Sequence, residues 1–365
     1  MKLSALESYQ YFKNLQTYQL PASKILAIGT EIPEQRVDNA ALVKMIKAPA
    51  PVKKLLPTLI MRATKCQSRA YSPEGTSPSD LAVTAALRAF EQCDIGPSDI
   101  DTLIFASTDM DTLEPATANI VQQKLGLQVV NSFDVTNACN SFLQGMNVAN
   151  SLILAGGARK VLIVSGEVGS YVCNREIGSV GELETKMGGL TLGDAGAAMI
   201  MGASDDDAGL LEINLMSMGA HWELCHVPET TDWRQRDGGT IHGWFYLDMP
   251  KLARIAKYTT ERYFQQYRQI RQELKGEAFF FDHIDHLIPH QISRKFIEDI
   301  ASALDFDMAK IQIVADTLGN TASTSIPLVL DLMIKEGSLA FGSGQEVFLY
   351  GAASGYGIGH LRIRL

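Results

Sequence analysis

Four things are scarce in this 365-residue chain, and each scarcity excludes something. The five cysteines (Cys66, Cys93, Cys139, Cys173 and Cys225) are scattered with no CxxC pair, which excludes a disulfide framework and leads us to expect a reducing, cytoplasmic setting. Histidine is sparse at seven residues; His221 and His226 flank WELC without HExxH spacing, so no metal site is expected. Surplus positive charge is missing. The net charge of −9 argues against general nucleic-acid binding, while leaving room for a local basic patch. Finally, no apolar run reaches the length of a membrane span, the N-terminus lacks a signal-peptide layout, and there is no low-complexity tract. With 46% hydrophobic and 20% charged residues, the chain can bury a substantial core.

What is present is a succession of helix and strand signals. MKLSALESYQYFKNLQTYQL is mixed and amphipathic, and reads as a short extra helix within residues 1–23. Lys24–Ile28 opens a strand, and Asn39 can cap the helix AALVKMIKA. Residues 48–60 carry three prolines and read as irregular, a cap over an entrance. Arg62, Lys65 and Arg69 form a small basic cluster. A helix with a serine cap is expected over 79–92, a buried strand over 100–106, and a further helix with Pro115 in its first turn.

The stretch over residues 131–166 reads as strand, sharp turn, helix and strand. The turn TNAC delivers Cys139 to a helix start, and Phe142, Leu143, Met146, Ala149, Leu152 and Ile153 recur at three-and-four spacing. A thiol at that position feels the positive end of the helix dipole, which favours thiolate. Taken alone, the residue reads equally well as an inert core cysteine. Residues 167–189 look like an inserted loop.

The second half replays the first. Ile284-Asp-His-Leu-Ile288 echoes Ile100-Asp-Thr-Leu-Ile104, each preceded by a long amphipathic helix. A strand over 311–314, the turn TLGN, the helix SIPLVLDLMIKEG and a strand over 347–350 follow. Two copies of a βαβαβ-type unit imply a duplicated α/β architecture, with halves at 24–203 and 204–365. Equivalent loops of such a duplication face one another, so Cys139 should meet Asn320, and His290 should lie on the same rim. A thiol with a base and an amide is a nucleophilic constellation. A papain-like hydrolase also uses Cys, His and Asn, but the duplicated pattern does not suit it.

DVTNACNSFLQGM, GDAGAA, LIPHQISRKF, GNTASTSIP and the terminal GAASGYGIGHLRIRL, in this order, resemble the thiolase-fold condensing enzymes of the β-ketoacyl-ACP synthase III type. The resemblance runs from Lys24 to Leu365. It implies a five-layer αβαβα thiolase fold and a homodimer acting on CoA or acyl-carrier-protein thioesters, with no other cofactor. It implies Cys139 as acyl acceptor, His290 and Asn320 as the pair serving the second substrate, and the backbone N–H groups of Cys139 and Ser354 as the oxyanion hole. Arg62, Lys295 and Gly355 fall at substrate-binding positions.

Two departures narrow the expectation. No tryptophan precedes the basic cluster to stack on a CoA adenine, which favours a carrier-protein donor. Glu114 stands where ordinary members carry a bulky apolar residue. Related enzymes that join two acyl chains, making olefins, pyrones or dialkylresorcinols, supply a glutamate from the partner chain to remove an α-proton. The expected activity is therefore Claisen condensation of an acyl-Cys139 thioester with a second acyl or β-ketoacyl thioester in secondary-metabolite or lipid biosynthesis. The competing expectations are an acyltransferase acting on a hydroxyl or amine, and an ordinary malonyl-dependent synthase. A non-catalytic cavity-shaping subunit fits poorly, because all three polar residues are kept.

Overall fold

Short apolar runs and amphipathic helices alternate along the chain, and in the computed structural model they form two five-stranded sheets. Residues 9–228, 243–275 and 280–365 are described. The first half comprises β1 (Gln16–Thr17), β2 (Ser23–Glu31), β3 (Gln35–Asp38), α1 (Asn39–Met45), α2 (Ala50–Thr64), β4 (Ser68–Tyr71), α3 (Pro78–Phe90), β5 (Thr102–Ala106), α4 (Thr117–Leu125), β6 (Asn131–Val135), α5 (Ser141–Leu154), β7 (Lys160–Val168), α6 (Leu183–Lys186) and β8 (Asp194–Ala203). The second comprises β9 (Gly209–Ser217), β10 (Cys225–His226), β11 (Tyr246–Leu247), α7 (Met249–Lys275), β12 (His286–Pro289), α8 (Arg294–Leu304), α9 (Ser325–Lys335), β13 (Glu346–Ala353) and β14 (Gly357–Arg364).

The sheet orders are β2-β8-β7-β5-β6 and β1-β9-β14-β13-β12. The parallel pairs β5–β7 and β12–β13 stand at matching places, each continued by two antiparallel pairings, β7–β8–β2 and β13–β14–β9; the first sheet adds the parallel strand β6 beyond β5, and the second adds the antiparallel strand β1 beyond β9. Four strands of each sheet thus correspond in order and direction, which is the duplication read from the sequence. Helices α5 and α9 touch both sheets. They are accordingly apolar nearly all round, burying Phe142, Leu143, Met146 and Ala149 on one and Leu328, Val329, Leu330 and Met333 on the other. On the outer faces α3 and α4 cover the first sheet, and α7 and α8 cover the second. The result is the five-layer thiolase arrangement.

Several local expectations are corrected. The extra helix expected within residues 1–23 falls in part outside the described residues; of the described part, residues 11–14 turn and β1 pairs with β9, with Tyr11 and Phe12 drawn into the aromatic cluster around Tyr263 and Tyr267. Residues 50–64 are helical rather than irregular. Pro51 falls in the first turn, where its missing N–H is harmless, and Val52, Leu56, Ile60 and Thr64 form a buried stripe that carries the helix past Pro57. The cap of α1 is Asp38, accepting from Ala41 N; Asn39 is buried instead, between Cys66 O and Arg69. Ser77, not Ser79, caps α3, in a capping box with Asp80. Residues 311–314 form no strand, since the side chain of Gln291 takes the ladder's place, accepting from Val314 N (3.0 Å) and donating to Gln312 O (3.4 Å). Pro115 precedes α4, and Glu167 and Val168 end β7 rather than opening a loop.

Candidate active site

Between the end of β6 and the start of α5 the chain reverses through Ala138, whose φ of +47° is in the left-handed region. Hydrogen bonds over-determine this turn: Asn140 N donates to Asn137 O (3.0 Å), Ser141 N to Ala138 O (2.9 Å), and Asn137 N to Ser141 Oγ (2.8 Å). Cys139 is thereby held two residues ahead of α5, half-buried. Its own backbone N–H and that of Ser354, which follows β13, both donate toward its sulfur. Burial nevertheless pushes the thiol far above the usual range, and the nearby Cys225 and Glu167 push it further, with the two N–H groups only partly offsetting this. The expected resting thiolate is therefore corrected to a neutral thiol, because loss of water outweighs the helix terminus.

Asn320 follows Gly319, which has φ of +80° and leaves no room for a Cβ, since one would fall 2.6 Å from Thr191 O. The Asn320 backbone is clamped to the strand entering β8, donating to Thr191 O (2.8 Å) and accepting from Gly193 N (2.9 Å). Its side-chain Oδ1 accepts from Ala322 N at 3.0 Å, which leaves the NH₂ as the free, donating end.

His290 follows β12 directly, with its N–H on Tyr350 O at 2.8 Å. The ring is buried, its Nδ1 lies 2.6 Å from Ser325 Oγ, and its Nε2 has no partner among the described residues. Burial lowers its pKa to about 3, so the ring is neutral. Gln291 N donates to the same Ser325 oxygen at 3.4 Å, leaving the hydroxyl hydrogen to point at Nδ1. We take the hydroxyl as the donor to Nδ1, which puts the ring proton on Nε2.

Three residues not foreseen from the sequence tie the site together. Ser325 orients His290. Ser323 donates to the buried carboxyl group of Glu167, which also accepts from Ser107 Oγ (3.0 Å) and Thr108 N (2.8 Å). Cys225 lies against Ser354, with sulfur and Oγ 3.1 Å apart. Burial, reinforced by Asp109, raises the Glu167 pKa well above the ordinary carboxylate range. The turn Ala322–Thr324 packs on both α5 and β7, so the segment 320–325 joins Asn320 and His290 to the surroundings of Cys139. The motif GNTASTSIP contained the signal for both serines, but only its asparagine stood out.

The synthase III model for 3-oxoacyl-[acyl-carrier-protein] synthases matches residues 133–219, and the model of its C-terminal part matches 277–365. A β-ketoacyl-[acyl-carrier-protein] synthase III from Rhizorhabdus wittichii is 28% identical over 344 residues, covering 90% of this chain and 98% of that protein. This chain is a thiolase-superfamily condensing enzyme. Its chemistry is of the Claisen type, on acyl thioesters. The fold is shared with the synthase III of Pseudomonas aeruginosa PAO1 (24% identity, TM-score 0.80, 94% and 98% covered). It is also shared with cerulenin-bound OleA of Xanthomonas campestris (23% identity, TM-score 0.80, 95% and 98% covered).

The remaining expected residues of this condensing enzyme are dispersed. Of the basic cluster, Arg69 is fully buried and structural, donating to Val37 O (2.9 Å) and Asn39 Oδ1 (2.9 Å). Arg62 on α2 is exposed, and α2 packs against α8, which carries the exposed Lys295, itself 3.7 Å from Asp299. Gly355 has φ of +72° with open space around it, so it serves a turn rather than a close approach. Glu114 is exposed beside the exposed Leu113 in the loop between β5 and α4. It is not the anion at the start of α4. That place belongs to Asp134, which accepts from Thr117 N and Ala118 N at 2.8 Å each. Among the described residues, no helix is long and apolar enough to cross a membrane.

Proposed function

We propose that this enzyme is a homodimeric ketosynthase that joins two acyl chains. Cys139 attacks an acyl thioester of CoA or a carrier protein, and the backbone N–H groups of Cys139 and Ser354 hold the tetrahedral oxyanion. As the S–C bond forms, the bond to the CoA or carrier sulfur breaks and the Cys139 proton passes to that departing sulfur, which leaves as a free thiol; this suits a nucleophile that is neutral at rest. A second acyl or β-ketoacyl thioester then enters. The Nε2–H of His290 and the NH₂ of Asn320 donate to its carbonyl oxygen, while Glu114 of the partner subunit removes the α-proton. The resulting carbanion attacks the acyl-cysteine carbonyl, giving a β-keto thioester and the free Cys139 thiol.

The observation that carries this reading is the neutral, Ser325-oriented His290, which is built to donate rather than to take a proton. If His290 donates, a substrate without a leaving CO₂ needs a base from elsewhere. Glu114 suits that demand. It is presented in an exposed loop, and β6 is an edge strand able to continue into a second copy. The exposed Arg62 and Lys295 suit an acidic carrier protein.

Product analysis tests the reading. Two saturated acyl thioesters should give a β-keto product with wild type and none with Glu114→Ala. A product formed only from a malonyl thioester, unaffected by Glu114→Ala, would instead mean a decarboxylative synthase.

A further inference from the structure

Five buried polar side chains adjoin the Cys139 turn, and none of the condensation steps uses them: Ser107 after β5, Ser141 opening α5, Ser165 and Glu167 on β7, and Ser323 in the turn Ala322–Thr324. Ser141 Oγ accepts from Asn137 N and lies 3.1 Å from Ser107 O, which ties the nucleophile turn to the end of β5. Ser107 Oγ lies 2.7 Å from Gly166 O and 3.0 Å from Glu167 Oε1, so its one hydrogen serves β7 either way. Ser323 donates to the same Glu167 oxygen and stands 2.7 Å from Ser165 Oγ, which fastens the 320–325 segment to β7. Thr108 N completes the set, donating to Glu167 Oε1 at 2.8 Å. Glu167 is thus where β5, β7 and the segment carrying Asn320 and Ser325 are joined.

It is also the one member of the five that can ionise. Among the described residues Glu167 makes no ion pair, and the group bearing on it is a second carboxyl, Asp109, whose Oδ2 accepts from Val168 N at 2.6 Å. A buried carboxyl group without a cation and beside another carboxyl group keeps its proton. That state matters to Cys139, on which Glu167 bears in turn. Acylation and condensation both develop negative charge there, first on sulfur and then on the oxyanion, and a carboxylate close by would oppose each. We propose that Glu167 is a positioning residue for Cys139 that works as the neutral acid, holding the nucleophile turn and the 320–325 segment together without placing a second negative charge at the site. The proposal rests on Cys139 as the nucleophile and not on the two-chain reading.

The rate at which iodoacetamide alkylates Cys139, followed by mass spectrometry of the peptide that holds it, reads the thiolate without any acyl substrate. In Glu167→Gln, which keeps the accepting oxygen and cannot ionise, the logarithm of that rate should rise evenly from about pH 6 to about pH 10. Wild type should follow the same line in acid and lie about tenfold below it at the alkaline end, the size of a like-charge effect of about one pKa unit. Asp109→Asn removes the charge that helps Glu167 keep its proton, and should move the break to lower pH. Glu167→Ala should lose the break as Glu167→Gln does, but melt at a lower temperature, because Thr108 N and the Ser323 hydroxyl lose their acceptor. A wild-type line without a break, a break that persists in Glu167→Gln or ignores Asp109→Asn, or equal melting of the alanine and glutamine variants would overturn the proposal. Failure of the acyl-transfer reading would appear separately, as a Cys139 that alkylates in this pattern yet takes up no acyl group.

Discussion

Nδ1 of His290 lies 2.6 Å from Oγ of Ser325, and this pairing decides which ring nitrogen offers a proton to the site. With Nδ1 accepting from the hydroxyl, Nε2 carries the hydrogen and has no partner among the described residues. Ser325→Ala frees the ring to choose its tautomer. It should lower kcat for condensation about tenfold, the worth of one hydrogen bond, and leave acylation of Cys139 unchanged. Because burial holds the ring pKa down to about 3, no step in the rate profile between roughly pH 5 and 8 should belong to this histidine. A step in that range that His290→Gln abolishes would contradict the assignment.

Glu114 should matter for one half-reaction only. Glu114→Gln keeps the shape and removes the base. It should therefore acylate normally while losing roughly 10²–10⁴-fold in condensation of two saturated thioesters, the usual contribution of a general base. Rapid-quench measurement of the two steps separates these. Equal loss in both would assign Glu114 to the architecture of the loop.

Glu167 makes stability depend on pH. Its folded pKa is raised, mainly by burial and then by Asp109, so the native state keeps a proton that the unfolded chain releases. That contribution is fully present below the ordinary carboxylate pKa and is lost as the pH rises through the raised value. Thermal midpoints of wild type should thus fall from mildly acidic toward alkaline pH, and Glu167→Gln, which mimics the protonated form, should fall less. Parallel declines would place the titration elsewhere.

Glu212 does the reverse. Burial opposes its ionisation, but hydrogen bonds from His360 (2.7 Å) and Tyr267, with the charges around it, hold its pKa down to about 2. His360 is itself kept toward neutrality by burial and accepts from Tyr263 at Nδ1, so the permanent charge opposite Glu212 is Arg271, 3.1 Å away. This contribution is present above the ordinary carboxylate range and is lost as the pH falls toward about 2. Glu212→Gln removes the buried carboxylate that faces Arg271 and should cost about 3–5 kcal/mol at neutral pH. Denaturant melts should show the gap from wild type narrowing in acid; a gap independent of pH would mean that charge is not its cause.

Much of the fold was legible because its signals are local. Ile100–Ile104 and Ile284–Ile288 repeat one another, and the apolar faces of α5 and α9 declare their burial between sheets. What was not legible depends on distant partners. The prolines near α2 obscured a stripe that only its tertiary packing reveals. The strand expected at 311–314 gave way to a single glutamine side chain 21 residues away. Arg69 resembled its solvent-facing neighbours until Val37 and Asn39 enclosed it. At the site, residue types and spacing pointed to Cys139, His290 and Asn320. The neutral state of the thiol and the tautomer of the ring follow from burial and second partners, which no spacing records.

The central claim is that Cys139 carries the acyl group. Intact-protein mass spectrometry after mixing wild type and Cys139→Ala with a panel of acyl-CoA and acyl-carrier thioesters tests it most directly. One acyl mass per chain on wild type, none on Cys139→Ala, and localisation to the peptide spanning residues 131–166 is the predicted result. An acyl adduct that survives Cys139→Ala, or no adduct from any donor while condensed product still accumulates, would contradict the account.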